Sequence, residues 1–156
     1  MGVTKIPVLI KKLSLLFDRI SNQLLTPYDL TNSQFRILMV LIHAPEGPVR
    51  QIDIENKFAM TNPTVTGLVQ KLEAKDLVKR MPHPGDKRSK VLVLTDRAMG
   101  MKEELLALAE NLERQMTRNL NDEECAQLAG LLLRMLPQPS IPLPENTGLS
   151  VSDRIE

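Results

Sequence analysis

A mainly α-helical subunit carrying one small β-hairpin is what the sequence predicts, and three observations predict it. Apolar residues recur every three or four positions through most of the chain, the period of a helix with one buried face. One pair of strand-like segments, residues 77–81 and 89–94, interrupts that period around the turn-forming run Pro82-His83-Pro84-Gly85-Asp86. Within 156 residues, the 42% that are hydrophobic suffice for the core of one domain or compact subunit.

The elements follow in order. Leu9, Leu13, Leu16, Phe17, Ile20 and Leu24 mark a helix over residues 5–25, stopped by Thr26-Pro27. Thr31 and Gln34 have capping-box spacing ahead of the stripe Phe35, Leu38, Met39 and Ile42, and Pro45-Glu46-Gly47-Pro48 ends that helix. A short helix over 49–58 places Ile54 and Phe58 one turn apart, with the polar Gln51, Asp53, Glu55 and Lys57 between them. After Ala59-Met60, Thr61 caps a helix with Pro63 in its first turn, where the amide lacks a helical partner in any case. Val65, Leu68, Val69 and Leu72 give that helix a buried face, and the opposite face centres on Pro63, Gly67, Gln70 and Ala74, with Thr66 and Lys71 beside it.

Beyond the hairpin, Leu105, Leu108, Ala109, Leu112 and Met116 indicate a helix over 96–120, and Asn121 with Glu124 caps a last helix running to Leu136. Apolar residues wrap most of that last helix, which fits burial between its own subunit and a neighbour, so a homodimer is expected. Its Cys125 reads as a buried core thiol. Residues 137–156 hold four prolines and read as a C-terminal tail.

Charge is divided along the chain. Residues 1–49 carry a net +2, residues 50–97 a net +4 and residues 98–156 a net −5. A basic middle third suits an anionic partner docking there. Other classes are disfavoured. The longest apolar run, residues 37–42, is six residues, against the roughly 18–20 that a membrane-spanning helix needs. The N-terminus lacks the charged-then-apolar pattern of a secretory signal, so a cytoplasmic protein is expected. One cysteine cannot form an intrachain disulfide, and His43 and His83 have no zinc-ligand spacing. Glycine-rich phosphate loops, nucleophile elbows and clustered ligand residues are all missing, so neither an enzyme nor a cofactor or metal is indicated.

Helix, short helix, tight turn, helix and hairpin is a winged helix-turn-helix order. The segment Asp86-Lys87-Arg88-Ser89-Lys90-Val91-Leu92-Val93-Leu94-Thr95 reads D-x-R, five residues, then L-T. It resembles the wing signature of the multiple antibiotic resistance regulator (MarR) family. Upstream, Gln51-Ile52-Asp53-Ile54-Glu55, Thr61-Asn62-Pro63-Thr64-Val65-Thr66 and Leu72-Glu73-Ala74-Lys75-Asp76-Leu77-Val78-Lys79-Arg80 are similar to that family's two DNA-binding helices and the entry to its wing. The resemblance covers residues 30–97 by motif and the rest by helix order.

It implies a homodimeric, sequence-specific regulator of transcription, a repressor being expected, that binds double-stranded DNA at a near-palindromic operator. Residues 30–97 would be the DNA-binding part and residues 4–25 and 96–136 the dimerisation part. It also implies a small-molecule effector bound between the two parts, in a pocket that the scarcity of aromatic residues would make mostly aliphatic. The implied DNA contacts are Asn62, Pro63, Thr64, Thr66, Gly67, Gln70 and Lys71 on the recognition helix and Lys87, Arg88 and Lys90 on the wing. Short polar groups suit base edges, Gln70 suits adenine, and Lys71 suits a phosphate. Arginine suits a narrow minor groove. Asp86 is given a structural role in the wing, orienting the Arg88 guanidinium.

Three departures from the family pattern stand out. Gly67 occupies a position where the family often has arginine, Asp76 replaces a usual glycine, and Ala98 stands where Thr-x-x-Gly is expected after the wing. Asp tolerates left-handed dihedrals, so the turn at Asp76 should survive. Gly67 and the modest charge favour an alternative, a winged-helix protein-interaction module without sequence-specific DNA binding.

Overall fold

The structure, a computed structural model, describes residues 4–44 and 47–137. Two compact units divide the chain, Met1–Met116 and Thr117–Glu156.

The first unit opens with α1 (Ile6–Leu25) and a single 3₁₀ turn, Thr26–Tyr28. Only the C-terminal end of α1 enters the core, through Ile20, Ser21 and Leu25. The expected stripe breaks down toward the N-terminus, where Leu9, Leu13 and Leu16 remain exposed. Helix α2 (Asn32–Ile42) starts on the predicted capping box: Gln34 N–H donates to Thr31 Oγ1 and Thr31 N–H to Gln34 Oε1, both at 3.2 Å. At its other end the His43 ring meets the Met39 carbonyl at 2.9 Å, a capping role.

The segment expected as one short helix is two elements. Val49–Arg50 forms a strand, β1, and Gln51–Phe58 forms α3. The change occurs at Arg50, whose N–H donates to Asp53 Oδ2 at 2.8 Å while its guanidinium grips the same carboxylate at 3.1 Å. That clasp holds Asp53 below its ordinary carboxylate value. Helix α4 (Asn62–Ala74) follows after Ala59, which adopts a left-handed φ of 51° to end α3.

Strands β2 (Val78–His83) and β3 (Asp86–Leu94) form a longer hairpin than the turn residues indicated, because Pro82 and His83 stay in the ladder and only Pro84-Gly85 turns. The sheet order is β1-β3-β2, all antiparallel, with Val49 opposite Leu92 and Val78 opposite Leu94. Two further helices replace the single long one expected: α5 (Asp96–Gly100) and α6 (Lys102–Thr117). The interruption is an i→i+3 bond from Met101 N–H to the Ala98 carbonyl beside Gly100, a poor helix former.

The core of this unit gathers Phe35, Ile37 and Leu38 from α2, Ile54 from α3, Val65, Val69 and Leu72 from α4, Leu77, Val78 and Leu92 from the hairpin, and Leu105 from α6. It therefore fixes α4 and the hairpin to one scaffold. The Tyr28 hydroxyl, hydrogen-bonded to Glu104, is held above its ordinary value chiefly by that bond.

The second unit contains α7 (Asp122–Met135), begun by the predicted cap, with Asn121 and Glu124 exchanging bonds at 2.9 Å. None of its residues is buried. Cys125 is half-buried and not the core thiol expected, because this unit offers no second described element to cover the apolar face. Leu131, Leu133 and Met135 are all more than half exposed. The expected tail lies, except for Pro137, outside the described residues.

Candidate nucleic-acid interface

Helix α4 is set by its buried face. Val65, Val69 and Leu72 are completely enclosed, so the opposite surface of the helix is held toward solvent. Thr61 caps it, accepting the Thr64 N–H at 3.4 Å and lying 2.9 Å from the Thr64 hydroxyl. Asn62, Pro63, Thr64, Gln70 and Lys71 are exposed, and Thr66 and Gly67 are half-buried. All seven expected helix contacts thus lie on one element.

Two of them are bonded to α3. Asn62 Nδ2 donates to Glu55 Oε1 at 2.7 Å, and Gln51 Nε2 donates to Thr66 Oγ1 at 2.7 Å and to Glu55 Oε1 at 3.4 Å. From the sequence, Glu55 and Gln51 carry no individual role beyond lying in a segment that resembles one of the family's DNA-binding helices. Their i, i+4 spacing was the available sign that they share one face.

Lys87, Arg88 and Lys90 are exposed on β3. The hairpin register shifts between Pro82, opposite Lys90, and His83, opposite Asp86, so Lys87, Arg88 and Ser89 form a bulge on β3. Asp86 closes that bulge: its Oδ1 accepts the Arg88 backbone N–H at 2.9 Å and its Oδ2 the Ser89 hydroxyl at 3.4 Å. The structural place of Asp86 in the wing is thus through the Arg88 backbone, not through the guanidinium as expected, and the charged end of Arg88 is left to solvent. Across the tip, Gly85 N–H donates to His83 Nδ1 at 2.9 Å.

The wing is tied to α4 at its base. Asp76 takes the left-handed conformation anticipated for it, with φ 55°. Its carbonyl accepts the Thr95 hydroxyl at 2.6 Å, and Thr95 Oγ1 in turn accepts the Ala98 N–H at 3.2 Å to start α5. Arg80 on β2 faces Glu73 on α4 at 3.7 Å. Lys75 Nζ anchors the end of α4 to the Asp29 carbonyl and, at 3.1 Å, to Gln34 Oε1. Lys75 and Arg80 were not assigned roles from the sequence; both are cations that fasten the helix to its frame.

Behind this surface a cavity of about 700 Å³ opens between α1, α2, α3, β1 and α6. Its apolar lining is more aliphatic than aromatic, through Met39, Val40, Ala44, Pro48, Val49 and Leu112, yet all three phenylalanines of the chain, Phe17, Phe35 and Phe58, also converge on it. The Arg36 guanidinium lies 4.0 Å from the Phe58 ring centroid, and Lys57 and Asp53 stand at the same wall. These phenylalanines are far apart in sequence, so spacing alone did not show that they meet. Among the described residues, no group of three or more His, Cys, Asp or Glu is arranged to hold a metal ion, and no helix is long and apolar enough to cross a membrane.

The sequence profile of the MarR family matches residues 28–89, from the 3₁₀ turn to the bulge of β3. The multiple antibiotic resistance protein MarR of Escherichia coli K12 is 30% identical over 121 residues, which span 77% of this chain and 83% of that protein. The chain belongs to the MarR family. Among MarR-family structures, the Staphylococcus aureus MepR–DNA complex matches with a TM-score of 0.77 at 27% identity, over 85% of this chain and 97% of that one. A structure of Bordetella bronchiseptica BpsR, described as a mechanism for regulation of its DNA binding by 6-hydroxynicotinic acid, matches with a TM-score of 0.74 at 25% identity, over 86% and 97%. In this MarR-family chain Gly67 faces open space, with nothing within 4 Å of where a Cβ would stand. The glycine is therefore no packing requirement at the Cβ position, and an alanine methyl fits there.

Proposed function

We propose that this chain is a DNA-binding transcription regulator that works as a homodimer in the cytoplasm, placing α4 in the major groove and the wing against the minor groove. Membership of the MarR family, with a relative of the same fold seen on DNA, supports it. The observation that carries it is α4 itself: a helix rigidly seated by Val65, Val69 and Leu72, presenting Asn62, Pro63, Thr64, Thr66, Gly67, Gln70 and Lys71 on its outer side. Lys87, Arg88 and Lys90 supply charge to the phosphates alongside. The second copy is held by the uncovered apolar face of α1, where Ile6, Leu9 and Leu13 are exposed, and by that of α7. Two copies of one reading helix recognise a near-palindrome with half-sites about one helical turn apart.

The cavity behind α2 is the effector site. Aromatic walls and the Arg36 and Lys57 cations suit a small planar anion, as a relative regulated by 6-hydroxynicotinic acid also suggests. A ligand that favours one spacing of the two α4 helices shifts the dimer toward or away from the groove-matched state by its differential affinity.

The test is selection of duplexes from random and genomic DNA by the purified protein, followed by titration at several salt concentrations. A recovered palindromic motif bound with steep salt dependence is expected. Equal, weak binding to every duplex would refute the assignment.

A further inference from the structure

Glu55 belongs to α3, yet its carboxylate is committed to the reading helix. Its Oε1 accepts from Asn62 Nδ2 at 2.7 Å and from Gln51 Nε2 at 3.4 Å, and Gln51 spends its other amide hydrogen on Thr66 Oγ1 at 2.7 Å. An ionised carboxylate accepts and never donates. Asn62 must therefore turn its nitrogen toward Glu55, which leaves its Oδ1 as an acceptor for a ligand. Thr66, whose oxygen already receives a hydrogen from Gln51, keeps its own hydroxyl proton to give away. The Asn62 amide thus carries a fixed polarity before any DNA arrives, and the Thr66 hydroxyl has its donor free beside one remaining lone pair.

We propose that Glu55 is a specificity-setting positioning residue: it decides which hydrogen-bonding edge Asn62 offers to a base pair and, through Gln51, keeps the Thr66 hydroxyl proton free to donate, without touching DNA itself. The inference rests on the DNA-binding function proposed above. In the major groove an outward acceptor selects the exocyclic amine of adenine or cytosine, and an outward donor selects purine N7 or the carbonyl oxygens of guanine and thymine. A neutral glutamine at position 55 both accepts and donates, so Asn62 can then reverse and the choice of base relaxes. The negative charge of Glu55 also opposes phosphates, so it costs affinity for any duplex while sharpening the choice among them.

The experiment compares the full-length protein with Glu55→Gln, with Asn62→Ala/Thr66→Val, and with all three changes combined. Each is put through duplex selection with sequencing, and affinities for the selected and a random duplex are measured at one salt concentration. Glu55→Gln is expected to lower the ratio of specific to random affinity about tenfold, within the range of one good base contact. It should broaden one position per half-site and leave random-duplex affinity equal or higher. In the Asn62→Ala/Thr66→Val background the same change is expected to leave the ratio where it was. Three results overturn the proposal: an unchanged motif and ratio, an equal loss on both duplexes, or an undiminished effect of Glu55→Gln in that background. If the unaltered protein shows no preference for any duplex, the DNA-binding function itself falls, an outcome visible before any variant is compared.

Discussion

Helix α4 and the wing present the same solvent with opposite constructions. The helix is locked from below by three enclosed side chains and from the side by hydrogen bonds to α3. The wing is held by its backbone ladder and by Asp86, and its cations project freely. Reading bases demands donors and acceptors fixed to within a fraction of an ångström, whereas neutralising phosphates demands only charge within reach. On the proposed function, order is concentrated in the helix that would read bases and withheld from the wing that would supply charge.

The largest expected effect tests the first half of that contrast. Leu72→Ala, on the enclosed face of α4, should cost about 2–5 kcal/mol in denaturant unfolding, while Lys87→Ala at the open wing should change stability by less than about 0.5 kcal/mol. DNA titration should reverse the ranking of interest. Arg88→Ala is expected to weaken every duplex to a similar degree and to make the salt slope shallower by about one. Asn62→Ala should instead act on the chosen duplex, costing about 1–3 kcal/mol of discrimination at one position per half-site. Uniform loss from Asn62→Ala, or altered base preference from Arg88→Ala, would erase the distinction.

Smaller effects sharpen it. Gly67 meets nothing where a side chain would begin, so Gly67→Ala should raise thermal stability by roughly 0.5–1 kcal/mol. Least of all is the acid response of Asp53, whose folded carboxyl is lowered by Arg50. A lowered folded value means a contribution fully present above the unfolded value and lost as the pH falls through the folded one. Thermal melts of Asp53→Asn should therefore converge with those of the parent at acid pH and lie slightly below them at neutral pH.

Much of this was legible in the sequence because it rested on local chemistry. The caps at Thr31, Thr61 and Asn121, the left-handed Asp76 and the buried stripe of α4 depend on neighbours within a turn or two. What escaped depends on distant partners. Two residues suffice for β1 only because β3 pairs with them. Glu55 becomes significant only when α4 swings its Asn62 alongside. That Leu9 and Leu13 stay exposed was not readable, because periodicity marks an apolar face without saying what covers it. Of the site, the outward residues of α4 were readable from helical spacing, but the bonds that orient Asn62 and Thr66 were not.

The gathering of three phenylalanines around one cavity has a spectroscopic consequence. The protein contains no tryptophan and a single tyrosine, so its near-ultraviolet emission is almost silent. A Phe58→Trp variant would place one bright indole beside Arg36, and a change in its emission, excited selectively over tyrosine, would report a small molecule entering the chamber, titrated directly and with no DNA present.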